Sequence, residues 1–301
     1  MLRFDFYSPE QEITLPLYDQ KSVRVFIKRD DLIHPYISGN KWRKLKHPLQ
    51  QAQHDKKTKL VTFGGAWSNH LLATACAGAT FGFQTHAFVR GEAVSNTVLT
   101  LCNMFGMTLQ FVDRTSYKNK QALFDQHFGY DEAAFFIDEG GYGASGVLGC
   151  SEMVAELTGN YDHIFCASGT GTTAAGILRG IQLQKLDSKL HGVPVLKSGE
   201  FIREEIARLG VSGSAEMALH TAYHFGGYAK TKPELIEFVK QFTRDTGILI
   251  EPTYTGKLFY ALHDLLRNDQ IDAGSRLLVV HTGGLTGLLG MLDKFSSTAE
   301  Q

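Results

Sequence analysis

Cysteine is scarce in this 301-residue chain: Cys76, Cys102, Cys150 and Cys166 are the only four, far apart and without a C-x-x-C pair. That pattern excludes a disulfide scaffold and predicts reduced, mostly buried thiols of a cytoplasmic protein. An excess of one charge is missing too. Lys+Arg 30 against Asp+Glu 31 leaves a net charge of -1, so no basic field attracts nucleic acid or an anionic membrane surface. No stretch of ~18 uncharged apolar residues occurs, which excludes a membrane-spanning helix. The opening MLRFDFYSPEQEITL carries Asp5 and no apolar core, so no secretory leader is expected. There are twelve histidines but no H-E-x-x-H. His220 and His224 are four apart in ALHTAYHF, which alternates as a strand does, and no metal site is expected there.

Apolar residues make up 43% of the chain and glycine is plentiful, at 31 residues. This length suits about two domains of ~150 residues each. Short apolar runs predict strands at 23–28, 59–63, 84–89, 108–112, 134–138, 163–167, 192–196 and 276–281. Between them, amphipathic patterns predict helices near 42–54, 68–80, 95–105, 118–127, 147–158, 173–185, 200–208, 232–245, 256–267 and 285–293. Strands alternating with helices imply crossover units and a mostly parallel sheet, the α/β class.

Glycines fall just after five predicted strand segments: Gly64-Gly65, Gly140-Gly141, Gly169 with Gly171, Gly226-Gly227 and Gly283-Gly284. Strand-to-helix turns use glycine in any case. Five at strand ends point to a shared crevice, because ligands of open α/β sheets lie beyond the carboxyl ends of the strands. The segment HIFCASGTGTTAAG, residues 163–176, reads as strand, small-residue loop and helix start. Its successive N–H groups and helix N-terminus form an anion cradle, with hydroxyls from Ser168, Thr170, Thr172 and Thr173. The loop contains no lysine, which argues against a nucleoside-triphosphatase and suits a single phosphate monoester. Gly169-x-Gly171-x-x-Ala174 also fits a dinucleotide fingerprint, but the acidic residue expected ~20 positions on is absent. Lys197 keeps a phosphorylated dinucleotide, and hence an NADP-dependent oxidoreductase, as an alternative.

Residues 37–45, ISGNKWRKL, place Lys41 at a helix start after Gly39-Asn40. The helix dipole and the nearby Arg43 and Lys44 disfavour a cation there and raise the neutral-amine fraction. Alone, this segment is more simply a solvated basic cluster. Beside a monophosphate cradle, it reads as a Schiff-base lysine. A cofactor with one phosphate and one aldehyde is pyridoxal 5'-phosphate.

The blocks IKRDDLIHPYISGNKWRKL, FGGAWSNH, ASGTGTT, EPTYTGK and HTGG, in order across roughly residues 23–290, resemble fold-type II pyridoxal-phosphate enzymes. Within these, they resemble the 1-aminocyclopropane-1-carboxylate (ACC) deaminase and D-cysteine desulfhydrase group. The resemblance implies two open, twisted, mostly parallel sheet domains of the tryptophan-synthase-β-like kind, with the cofactor in the cleft between them. Residues 1–44 and 145–301 would form the large domain, and 45–144 a smaller inserted one. Lys41 would hold the cofactor and shuttle the substrate's α-proton. Asn69 would bond the cofactor's phenolic oxygen. Ser68 and the N–H groups of Asn69 and His70 would take the substrate carboxylate, as free amides at a helix start can. Ser168, Gly169, Thr170, Gly171, Thr172 and Thr173 would hold the phosphate. Tyr228 and Tyr254 resemble the active-site tyrosines, the alternative for both being ordinary packing.

Thr255 discriminates within the group. ACC deaminases carry Glu after the corresponding tyrosine, facing the pyridine nitrogen. A hydroxyl there leaves a weaker electron sink, suited to β-elimination of a good leaving group. Thr282 also matches the desulfhydrases, since ACC deaminases have Leu at that place. The implied reaction is D-cysteine desulfhydrase-like, giving pyruvate, ammonia and sulfide. ACC deamination is one alternative and a catalytically silent amino-acid or cofactor binder another. The implied partner is a small amino-acid substrate, and the implied assembly a homodimer. Ser38 replaces a family glycine, Trp42 a threonine and Trp67 a glutamine. Both tryptophans therefore fall beside the predicted site, as pocket walls or as buried anchors.

Overall fold

The computed structural model describes residues 5–214 and 216–296. The chain opens with β1 (Glu10–Ile13), α1 (Pro16–Gln20), β2 (Arg24–Lys28) and α2 (Asn40–His54). It continues through β3 (Lys59–Gly65), α3 (Asn69–Phe81), β4 (Gln84–Arg90), α4 (Thr97–Met104), β5 (Met107–Val112), α5 (Lys120–Phe128) and β6 (Ala134–Phe136). Next come α6 (Ala144–Ala155), β7 (His163–Ser168), α7 (Thr172–Gln184), β8 (Lys189–Pro194), α8 (Phe201–Arg208) and β9 (Ala218–Leu219). The last elements are α9 (Pro233–Thr246), α10 (Thr255–Arg267), β10 (Arg276–Val280) and α11 (Asp293–Ser296).

Two sheets result, and the α/β class expected from the alternation is what forms. The six-stranded sheet runs β1-β2-β10-β7-β8-β9 and the four-stranded sheet β5-β4-β3-β6. Every pair is parallel except β1 with β2. Parallel strands covered by helices on both faces must be apolar throughout, which is why LVTF of β3 and LLVV of β10 are buried without alternation. The four-stranded sheet is drawn wholly from residues 59–136, and the six-stranded one from the chain on either side of that stretch. Leu258, Leu262 and Leu265 of α10 sit in the core over the larger sheet, each completing a burial worth about 1.5–3 kcal/mol.

Several elements differ from the sequence expectation, each for a physical reason. Strand β1, reading EQEI, carries polar residues because it is an antiparallel edge strand, and hydrophobic patterning cannot reveal it. Helix α1 has only five residues, too few for a periodic signal. Strand β8 begins at Lys189, pairing with His163, so the apolar run at 192–196 marks only its end. The helix expected at 285–293 is instead a three-ten turn over Leu285–Gly290 followed by α11, since Gly287 and Gly290 weaken a continuous helix. The strand read in ALHTAYHF shrinks to β9, followed by a three-ten turn at Thr221–His224. His220 there bonds His191 (2.9 Å), while the His224 ring accepts the Gly226 N–H, so the two imidazoles serve different neighbours. All four cysteines are free and buried. No helix among the described residues is long and apolar enough to cross a membrane.

Candidate active site

Chain order reverses between β10 and β7 in the larger sheet and between β3 and β6 in the smaller one. Loops diverge at such points and leave a crevice beyond the strand ends. A cavity of about 700 Å³ lies there, lined by the turns after β3, β6 and β7 and by the segment after β10. It gathers Lys41, Ser68, Asn69, His70, Ser168, Gly169, Thr170, Gly171, Thr173, Tyr228 and Tyr254 from across the chain. Thr172, Thr255 and Thr282, also singled out in the sequence, are buried and do not line it.

Lys41 is the second residue of α2, which starts without a side-chain cap. Gly39 has φ +59, and a Cβ on it would overlap the Thr282 carbonyl, so only glycine allows the turn into α2 to pack against the chain after β10. Asn40 donates its N–H to that carbonyl at 3.3 Å and its side-chain amide to Thr173 Oγ1 at 3.0 Å. Thr282 therefore contributes its main chain to placing Lys41. Burial, with the charge of Lys44 adding to it, lowers the Lys41 ammonium to about 7. An amine that is substantially neutral near pH 7 can attack an aldehyde.

Around the cradle, Thr170 and Thr172 hydroxyls bond each other at 3.2 Å, and α7 begins at Thr172 with its first amides unclaimed by the helix. Sequence reasoning found no lysine in this loop and missed Lys44, which comes from α2. A Cβ on Gly141 or on Gly146 would meet the Lys44 side chain, and Gly146 lies against Thr172, so Lys44 runs beside the cradle to the cavity wall. Its spacing of three from Lys41 on one helix was the signal available.

On the opposite wall, Ser68 caps α3 by accepting the Leu71 N–H at 3.4 Å. The Asn69 side chain is fixed between Gly284, whose carbonyl it donates to at 3.3 Å, and Thr286, whose hydroxyl donates to it at 2.9 Å. The Thr62 hydroxyl gives its proton to the Ile137 carbonyl (2.9 Å), so His70 must be the donor in its 2.8 Å bond to Thr62. That leaves His70 Nδ1 a buried acceptor without a partner. Burial, then the charges of Lys41 and Lys44, hold His70 well below its ordinary pKa and therefore neutral.

Tyr254 and Tyr228 meet edge to face, with ring centroids 5.9 Å apart. Burial pushes the Tyr254 phenol well up, with Tyr228 reinforcing the shift, so it stays protonated. Glu251 is the second residue missed from sequence. Its carboxylate lines the cavity and accepts the N–H groups of Thr253, Tyr254 and Thr255 at 2.7–2.8 Å. Thr255 Oγ1 accepts the Glu251 N–H at 2.9 Å and lies 3.3 Å from its carboxylate, which is how a fully buried hydroxyl is satisfied. An acid ahead of a helix start was the cue. The tryptophans divide: Trp67 lies on the cavity wall against Gly290, whereas Trp42 packs on Phe81 in the core.

These residues fit pyridoxal phosphate. A poised primary amine, a helix start with a lysine beside it and a cavity of suitable size meet the needs of an aldehyde carried on a monophosphate. The comparisons agree. The signature described as pyridoxal-phosphate dependent enzyme matches residues 11–283. A Thermotoga maritima protein provisionally named 1-aminocyclopropane-1-carboxylate deaminase is 32% identical over 90% of this chain and 92% of its own. The mitochondrial bifunctional D-cysteine desulfhydrase/1-aminocyclopropane-1-carboxylate deaminase of Arabidopsis thaliana is 28% identical over 91% of this chain and 75% of its own. The crystal structure of an ACC deaminase homologue superposes with a TM-score of 0.84 at 28% identity, covering 98% of this chain and 94% of that one. With a lysine and a glycine–threonine loop at a helix start facing one sheet-end cleft, and the signature running through nearly all of the fold, the chain belongs to the pyridoxal-phosphate dependent enzyme family.

Proposed function

We propose that the protein eliminates the β-substituent of a small thiol-bearing amino acid such as D-cysteine, consuming water and releasing pyruvate, ammonia and sulfide. The observation that carries the reading is Lys41, a half-buried amine at the cavity wall whose pKa falls to about 7. When bound, pyridoxal phosphate supplies the electron sink for the pair left on the substrate's α-carbon. Lys41 Nζ would hold the cofactor and, as a neutral amine, would accept the substrate's α-proton. Ser168 to Thr173 and Lys44 would hold the phosphate. Ser68 and the N–H groups of Asn69 and His70 take the substrate carboxylate at the start of α3. Asn69 would add a bond to the cofactor's phenolic oxygen, and Tyr228 and Tyr254 would close the substrate's side of the cleft. Residue 255 has no carboxylate, and its hydroxyl is tied to Glu251 away from the cavity lining, so it offers no anion to the cofactor's ring, which supports elimination of a good leaving group over a harder carbon–carbon cleavage.

One observation favours ACC ring opening, to 2-oxobutanoate and ammonia, as a second reading: the Glu251 carboxylate stands at the cavity wall even though residue 255 has none. The name of the Arabidopsis relative pairs both activities. Family membership leaves the dinucleotide reading of 169–174 without support. A keto-acid assay across D- and L-cysteine, D- and L-serine, β-chloroalanine and ACC is the direct test. Turnover of D-cysteine above ACC is expected. ACC turnover equal to or above it overturns the argument from Thr255, and binding of the cofactor without turnover of any of them marks a silent binder.

The same reading includes a homodimer in the cytoplasm, which sedimentation of the purified protein and localisation of a tagged copy would test. It also includes an inserted domain at 45–144 between the two parts of a larger one. Since α2 runs unbroken across residues 44 and 45, that boundary would lie inside a helix.

A further inference from the structure

Lys257 has no part in the chemistry described so far, yet it is fully buried in the third position of α10. Its ammonium meets three main-chain carbonyls: His224 and Gly227 at 2.8 Å each, and Val195, just beyond β8, at 3.4 Å. Three N–H donors thus face three acceptors, without a carboxylate in ion-pair contact among the described residues. The carbonyls of His224 and Gly227 each also accept a turn amide, from Gly227 and Lys230.

The loop so gripped is strained. Phe225 (φ 51) and Ala229 (φ 54) are non-glycine residues in the left-handed region, and Gly226 and Gly227 lie at φ 99 and 120 between them. Such a run persists only where its surroundings over-determine it. Helix α10 provides the surroundings from one face, at spacings of three and seven residues from Lys257. Phe225 meets the edge of Tyr260 at 4.9 Å, and Tyr223 donates to Asp264 at 2.7 Å. The Gly227 carbonyl belongs to the peptide that leads directly into Tyr228, which lines the cavity opposite Tyr254.

We infer that Lys257 is a positioning residue: its ammonium clamps the strained 224–228 loop to α10 and so holds Tyr228 at the cavity. The inference rests on the proposed function only in giving Tyr228 a substrate to face; the clamp itself is a property of the chain. Helix α10 starts with the Tyr254 turn and carries Lys257 within its first turn, so one rigid element sets both tyrosines.

The test measures amide hydrogen exchange in the cofactor-loaded protein, peptide by peptide, which needs no turnover. Lys257→Met keeps volume and removes the donors. Exchange over residues 223–230 is expected to quicken about tenfold or more, with β3 and β4 unchanged. Lys257→Ala removes the equivalent of a propylammonium ion, so added n-propylammonium should slow that exchange again, and tetramethylammonium, which cannot donate, should not. In both variants KM for the turned-over amino acid should rise more than kcat falls. Unaltered exchange at 223–230, or an equal rise through α10 and the six-stranded sheet, would overturn the inference. Loss of the lysine-bound cofactor's visible band in the unsubstituted protein would instead count against the proposed function, leaving the clamp to be judged by exchange alone.

Discussion

Helices α2 and α10 each carry a lysine whose ammonium is lowered by burial, Lys41 at the cavity wall to about 7 and Lys257 in the core to about 8, but they surround it differently. The α2 start has no side-chain cap, and burial beside another cation lowers the Lys41 ammonium to about 7. The α10 start is satisfied by Glu251, which accepts three successive amides, and Lys257 spends its hydrogens on three carbonyls. At the cavity wall the Lys41 ammonium gives up its proton near pH 7 and can serve as a nucleophile. A buried charge given acceptors becomes a fastener. Arg43, two residues after Lys41, repeats the second treatment: its guanidinium grips Asp30 at 2.7–3.0 Å and also pairs with Glu156.

The comparison breaks most visibly at the lysines. Lys41→Ala should lower keto-acid formation by about 10³-fold or more and abolish the lysine-bound cofactor band, whereas Lys257→Ala should retain that band. Equal loss of the band in both would erase the distinction. Arg43→Met leaves Asp30 buried and unpaired, and should cost about 3–5 kcal/mol in urea unfolding. Adding Asp30→Asn should recover part of it, and no recovery would remove the ion pair from the explanation. Gly39→Ala meets both positive φ and the Thr282 carbonyl, so about 2–4 kcal/mol is expected by the same assay. Glu251→Gln puts an amide N–H₂ against backbone N–H groups, at about 1–3 kcal/mol. If it lowers ACC turnover more than D-cysteine turnover, the carboxylate also serves the second reading.

The smallest effect is one of pH. The folded pKa of Lys41 lies below the ordinary 10.5, so between about 7 and 10.5 the unfolded chain binds the extra proton. Stability of the cofactor-free protein should therefore rise with pH across that window as far as this group is concerned. Uptake of pyridoxal phosphate, followed by absorbance, should quicken through pH about 7 and then level off. A rate still climbing toward 10.5 would return Lys41 to the ordinary range.

Much of the site could be read in advance because its parts are local. A strand followed by SGTGTT has few structures open to it, and GNK or SNH at a helix start presents its donors wherever the helix packs. Lys44 was hidden because it reaches the phosphate cradle from a different segment. Glu251 was hidden because an acid before a turn looks like any cap. Thr255 was chosen for its hydroxyl, and that hydroxyl is held by Glu251 four residues earlier. Trp42 and Trp67 were indistinguishable as letters: one faces the core and the other the cavity.

Composition and pattern alone determined the α/β class and the order of most strands and helices, and singled out the lysine and the glycine–threonine loop that the fold brings to one cavity. Periodicity and short-range chemistry act within a few residues, and they are written in the chain. Which lysine or arginine would be given hydrogen-bond acceptors was decided only by the packed whole. Desolvation and hydrogen-bond acceptors come from segments far away in sequence, such as Asp30 and Glu156 for Arg43, or His224 and Gly227 for Lys257.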